Sequence, residues 1–247
     1  MNREFSADRL GETLGQLSRH WKEKRTAAAN RLDPGAAPTQ FLTIALSREA
    51  GTQGTAVGHE VGTKLGWPVY DHELLERISK DMGVRTSLLE SIDEQRISWL
   101  REAFESLFTV PIVSDLAYVH HLAKTILALG ADGKCIIVGR GSAFILPAET
   151  TLRVHLMAPR EARIVMLGQL RGIAHEEAAR QLDTIDRERQ RFVREYFHKD
   201  PSDLRHFHLI LDVARFGVSG CAEIIIAALD CLQGQIVHEN QEKVMSS

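Results

Sequence analysis

FLTIALSREAGTQGTAVG, residues 41–58, is an apolar strand pattern that runs into a glycine-bearing loop and then into a helical pattern. That order is the layout of a phosphate-binding loop, in which successive backbone N–H groups and the positive end of the following helix converge on an anion. Gly51 and Gly54 would let the backbone approach the anion closely. The full G-x-x-x-x-G-K-[ST] pattern is missing, because the loop has no lysine and Thr55 follows Gly54.

Outward from this run, the apolar segments WPVY (67–70), CIIVG (135–139), LRVHLM (152–157) and HLILD (208–212) alternate with helical patterns. Such alternation predicts an α/β fold with a parallel sheet covered by helices. Between Asp71 and Gly133 the pattern is helical, with helices expected near 72–82, 86–107 and 113–130. A helical insertion over 72–133 on one side of the sheet follows. Ahead of the core, Leu10, Leu14, Leu17 and Trp21 form an apolar stripe at helical spacing, available to the body of the protein or to a partner. RLDPGAAPTQ (31–40), with two prolines and a glycine, reads as a linker. The chain therefore divides into an N-terminal helix and linker (1–40), a main domain (41–235) and a C-terminal tail (236–247).

With 247 residues, 44% hydrophobic and 26% charged, the composition is that of a soluble globular protein with one main core. A formal charge of −3 gives no general attraction to nucleic acid or to an anionic membrane. The opening MNREFSADRLGETLGQ lacks an apolar signal core, and no apolar run reads as long enough to span a bilayer, so a cytoplasmic location is expected. Cys135, Cys221 and Cys231 lack C-x-x-C spacing and read as buried thiols. His120-His121 and His206-x-His208 lack a third ligand, so no metal site is expected there. Ser47 and Ser142 show no Ser-His-Asp context, and Trp67, Trp99 and Phe104 read as packing residues.

Ligands in open α/β sheets bind at the carboxyl ends of strands. Here those ends carry the Gly51/Gly54 loop, Tyr70-Asp71, Gly139-Arg140-Gly141-Ser142 and Asp212. Arg140, flanked by glycines, can present a bidentate fork to a phosphate, although GRG alone is equally a tight turn with a solvated arginine. In DRERQRFVREYFHKD (186–200), Arg187, Arg191 and Arg194 share one helical face. That face is either salt-bridged to nearby carboxylates or part of a basic lid over phosphates.

TIALSREAGTQGTAVG, KLGWPVYDHELLERISKDMGV, IIVGRGSAFIL with LRVHLMAPREARI, and DRERQRFVREYFHKDPSDLRHFHLILD together resemble the cytidylate kinase-like family of P-loop proteins, over roughly residues 41–230. The resemblance implies a five-stranded parallel sheet with flanking helices, a nucleoside monophosphate-binding insertion and an arginine-bearing lid at 174–200. It also implies an ATP- and Mg²⁺-dependent nucleoside monophosphate kinase acting on CMP or dCMP. Gly51, Thr52, Gln53, Gly54 and Thr55 would surround the donor phosphates, Arg140 would hold the acceptor phosphate, and Arg187 and Arg191 would match lid arginines. Asp71 would sit where acceptor or metal contacts are made. Two departures stand out: the lysine position falls on Gly54 or Thr55, and Gly141 replaces the aspartate of the family's G-R-D segment. Arg48 adjoins the loop, and Arg140, Arg187, Arg189 and Arg191 together are candidates to supply the missing charge. The competing expectation is a nucleotide-binding or sensing protein that keeps the fold without catalysis, with self-association through the N-terminal helix.

Overall fold

The computed structural model describes residues 42–71 and 114–245, all within one compact unit, Gln40–Ser247. The expected N-terminal helix and the helices expected near 72–82 and 86–107 lie outside the described residues.

Five strands form the sheet: β1 (Thr43–Arg48), β2 (Val69–Tyr70), β3 (Ile136–Val138), β4 (Thr151–Met157) and β5 (Leu209–Asp212). They are ordered β2-β3-β1-β4-β5 and every pairing is parallel. Each strand falls on an apolar run read from the sequence. The central strand is covered on both faces, as parallel strands are, so Ile44, Ala45 and Leu46 are all fully buried.

Strand alternation sorts the side chains onto two faces. Ile44 and Leu46 of β1, Ile136 and Val138 of β3, and Leu152, Val154 and Leu156 of β4 point into the main core. There they meet α1 (Gly54–Leu65) through Val57 and Val61, and α6 (Val213–Met245) through Cys221, Ala222, Ile225 and Leu229. Helix α1 approaches the sheet closely because Gly62 faces β2, where a Cβ would stand 2.5 Å from Val69 Cγ2. It stops at Gly66, whose left-handed backbone lets its N–H donate to the Gly62 carbonyl. On the opposite face, Thr43 donates through Oγ1 to the carbonyl of Gly130 in α2 (Ser114–Asp132).

After β3, the short helix α3 (Ser142–Ile145) precedes β4, and α4 (Arg160–Arg171) follows it. Next comes α5 (His175–Phe197), one continuous helix over most of the segment expected to form the lid. Ile164 and Leu167 of α4 pack with Ala178 and Leu182 of α5, and Ala50 of the glycine loop is buried in that same cluster.

Two expectations change. Cys135 and Cys221 are buried, but Cys231 is exposed, because it lies on the side of α6 turned away from the sheet. Helix α6 is bent at Gly217 and continues to Met245. Its segment Val213–Gln235, with mean hydropathy 1.5, meets the length and composition of a membrane span, although no such run was expected. Within the fold, that segment supplies core residues against β4 and β5.

Candidate functional site

A cleft of about 1110 Å³ opens at the carboxyl ends of β1, β3 and β4, with α5 along one wall. Its lining includes Arg48, Arg140, His155, Arg189, Arg191 and Phe192. The first strand ends in Arg48, whose chain threads between two glycines. A Cβ on Gly54 would stand 2.9 Å from Arg48 Cγ, and one on Gly139 only 1.7 Å from Arg48 Nη1. Gly54 thus opens α1 and makes room for Arg48. Gln53, not Gly54, carries the left-handed backbone at the helix N-cap, and its side chain makes no capping bond. The first N–H groups of α1 therefore lack the i−4 acceptors of a helix interior and face an N-terminus suited to an anion.

Three cations meet here, Arg48, Arg140 and Arg189. Burial first, and then the charges of Arg189 and Arg140, bring the Arg48 guanidinium down to a pKa of about 9, while Asp71 at the end of β2 pulls the other way. Burial also lowers Arg189, with Arg140 and Arg171 adding to the effect and Asp186 opposing it. Arg189 reaches across from α5 and donates through Nη1 to the Arg48 carbonyl at 3.2 Å. Clustered, partly desolvated guanidiniums of this kind are a receptor for a multiply charged anion.

The GRG segment forms a tight turn, with φ of 80, 51 and 73 at Gly139, Arg140 and Gly141. A non-glycine residue held at positive φ costs on the order of 1 kcal/mol, so the surrounding structure must enforce the Arg140 conformation. At the far end of the same side chain, the Phe192 ring lies 5.9 Å from Arg140 Cζ. Gly141 is fixed by space as well as by φ, because a Cβ there would lie 2.2 Å from Phe197 Cε2. The ring of Phe197 thus occupies the room that an aspartate at 141 would need.

The remaining candidates are distributed unevenly. Thr52 is fully buried and donates to the Glu49 carbonyl at 2.9 Å, which turns its hydroxyl into the loop. Gly51, Thr52, Gln53, Gly54 and Thr55 border the start of α1 but do not line the cleft, which is bounded by Ser47, Arg48 and Glu49. Arg191 lines the cleft and stands 3.9 Å from Glu195. Arg187 is exposed on α5 and does not line it, and Arg194 stands 3.7 Å from Asp200.

Two relationships had no sequence signal. Ser47 and His155 are cross-strand partners in the β1–β4 register, with Oγ and Nδ1 3.2 Å apart, and Phe207 stacks on the imidazole at 4.8 Å. Glu49 and Asp186 both bind Arg163 of α4, at 3.2 and 2.5 Å. Both carboxylates are thereby engaged, and no group of three or more His, Cys, Asp or Glu residues suited to a metal occurs among the described residues.

The chain shares 31% identity over 110 residues with a cytidylate kinase of Methanopyrus kandleri. That match spans 41% of this chain and 57% of the relative's length. Among solved structures, an uncharacterized protein from Eubacterium ventriosum superposes with a TM-score of 0.59 at 17% identity, covering 76% of this chain and 98% of the other. A shikimate kinase from Bacteroides thetaiotaomicron superposes with a TM-score of 0.45 at 14% identity, over 76% and 98% of the two chains. The profile of the cytidylate kinase-like family matches residues 43–215, from the first strand through the arginine-bearing helix to the start of α6. The match takes in every strand of the sheet and every arginine of the cleft, and the chain belongs to the cytidylate kinase-like family.

Proposed function

We propose that the protein is an ATP-dependent nucleoside monophosphate kinase of the cytoplasm, with CMP or dCMP as acceptor. The observation that carries this reading is the convergence of Arg48, Arg140 and Arg189 beside an uncapped helix N-terminus, in a member of a family described as cytidylate kinase-like. Phosphoryl transfer needs positioning and charge neutralisation more than covalent help from the protein. In the proposed reaction an oxygen of the acceptor phosphate forms a bond to the γ-phosphorus of ATP, the bond to the β,γ-bridging oxygen breaks, and ADP departs with that electron pair. The loop and the N-terminus of α1 would receive the donor phosphates, Arg140 the acceptor phosphate, and Arg48, Arg189 and Arg191 the charge that develops between them. ATP would bring Mg²⁺ on its own phosphates. The domain responsible would be residues 41–235, with 174–200 acting as the lid.

A coupled assay with ATP, Mg²⁺ and a panel of nucleoside monophosphates tests this reading. CDP formation from CMP is the expected result; absence of transfer to every monophosphate by folded protein would falsify it.

One feature favours a second reading. The loop has no lysine, and Arg48 lies folded between Gly54 and Gly139 rather than extended from the helix start. A nucleotide-sensing protein without turnover, self-associating through residues 1–40, is consistent with that arrangement. ATP binding without product would favour it, and sustained turnover would remove it.

A further inference from the structure

We propose that Asp186 is a positioning residue that latches α5 to the glycine loop, so that the backbone offered to phosphates is set by the lid helix and not by the loop alone. Its consequence for turnover rests on the kinase reading above; the latch itself rests on the contacts. Asp186 Oδ1 accepts from the Ala50 N–H at 2.7 Å, across 136 residues of sequence. Its other oxygen, Oδ2, binds Arg163 Nη1 at 2.5 Å, and the same Nη1 donates to the Ala50 carbonyl at 3.3 Å. Both backbone groups of Ala50 are therefore held by a side-chain pair from α4 and α5.

The hold extends on either side of Ala50. Glu49 Oε2 accepts from the Ala158 N–H at 3.2 Å and lies 3.2 Å from Arg163 Nε, which itself donates to the Ala158 carbonyl at 3.0 Å. Three residues beyond Asp186, on the same side of α5, Arg189 donates to the Arg48 carbonyl. The Ala50 methyl is buried among Ile164, Leu167, Ala178 and Leu182, and a Cβ on Gly51 would stand 2.4 Å from the Arg163 carbonyl oxygen. Residues 48–51 are thus gripped through backbone and side chain by α4 and by α5, the helix that carries the lid arginines. Arg163, only 8% exposed, is the buried hub of the arrangement. A shift of α5 along its axis would move the Asp186 oxygen away from the Ala50 N–H and release the loop.

The test compares Asp186→Ala and Asp186→Asn with the wild-type full chain, reading hydrogen exchange of the segment 47–54 and, separately, the KM for ATP against kcat. Asp186→Ala is expected to speed exchange in that segment by about tenfold or more while the core strands keep their protection. It should also raise the KM for ATP more than it lowers kcat. Asp186→Asn, whose amide oxygen still accepts from the Ala50 N–H, should fall between the two. Wild-type exchange in 47–54, or uniform acceleration throughout the chain, would overturn the latch. Should Asp186→Ala not fold, Asp186→Leu, which keeps the volume and lacks the acceptor for the Ala50 N–H, carries the same exchange test, and unchanged protection there overturns the latch. If the wild type neither binds nor turns over ATP, the kinase reading falls while the exchange result still decides the latch.

Discussion

The guanidinium of Arg48 rests against the backbone of Gly139, so closely that a Cβ on that glycine would stand 1.7 Å from Nη1. The end of β3 therefore forms one wall of a slot for the last residue of β1, and Gly54 at the start of α1 forms the other. Two glycines separated by 85 positions are required by one arginine.

Gly139→Ala should expel the Arg48 guanidinium from that slot. Because the clashing atoms are at the far end of a flexible side chain, and the φ of 80 is costly for alanine, the loss of stability should be modest, about 1–2 kcal/mol. Anion binding should suffer more. Titration with ATP is expected to show at least a tenfold rise in Kd, and an affinity equal to wild type would count against the slot.

Arg48→Met should stabilise the ligand-free protein while weakening its response to anions. In the fold the Arg48 pKa is about 9 against an ordinary value of 12.5, so the charged form is disfavoured. For such a group the cost is present in full below pH 9 and is relieved as pH rises from 9 toward 12.5, so at pH 7 removing the charge removes the cost. Differential scanning calorimetry at pH 7 should show a Tm higher by a few degrees, on the order of 1 kcal/mol, for Arg48→Met. Added pyrophosphate should raise the wild-type Tm by clearly more than that of the variant.

The α5 arginines should rank by where they stand. Arg189 reaches the Arg48 carbonyl, Arg191 lines the cleft, and Arg187 is exposed outside it. Turnover in the coupled assay should fall by about a hundredfold or more for Arg189→Ala, by about tenfold for Arg191→Ala, and by less than threefold for Arg187→Ala. Equal losses at 187 and 189 would contradict the observed placement.

The sequence made the strands legible because parallel strands buried on both faces are short apolar runs, and all five runs became strands of one sheet. The arginines were visible as residue types, but their convergence was not. Which of Arg187, Arg189 and Arg191 faces the cleft depends on the rotation of α5, and that is fixed by Ala178, Leu182 and Val193 packing inward. Gly141 reads in sequence as a small residue in a turn. In space it is coupled to Phe197, 56 positions away, whose ring stands where a side chain at 141 would be. The Asp186 to Ala50 bond and the Ser47–His155 pair likewise join distant segments through register and helix placement, which no local pattern encodes.

Stability should decline as the medium becomes mildly acidic, and His155 should account for part of that decline. Burial holds its imidazole below the ordinary value of 6.5, with Asp186 opposing the shift. As pH falls through about 6.5 the unfolded chain takes up a proton that the folded imidazole resists, so stability present above that pH is lost below it. The drop in Tm between pH 7.5 and 5.5 should be smaller in His155→Asn than in the wild type. An identical drop would remove His155 from the account.

Of Gly54 and Thr55, only Thr55 has room for a lysine. At Gly54 a Cβ would press on Arg48 Cβ, Cγ and Cδ at 3.0, 2.9 and 3.3 Å, so Gly54→Lys would displace the very charge it is meant to supplement. Thr55 lies one residue further into α1, is only partly buried, and sits in the first turn, where the side chain of a lysine can reach an anion held at the helix N-terminus. If Arg48 supplies the charge that a loop lysine supplies elsewhere, Arg48→Ala should weaken ATP binding by about tenfold or more, and Arg48→Ala/Thr55→Lys should recover part of that loss. Thr55→Lys alone, next to three existing cations, should change affinity by less than threefold, because added repulsion offsets the added attraction. Isothermal titration of ATP into the four proteins of this cycle gives the coupling between the two positions directly. Strictly additive effects would mean that Arg48 and a lysine at 55 serve different phosphates, and an Arg48→Ala protein that binds ATP as the wild type does would transfer the compensating role to Arg189.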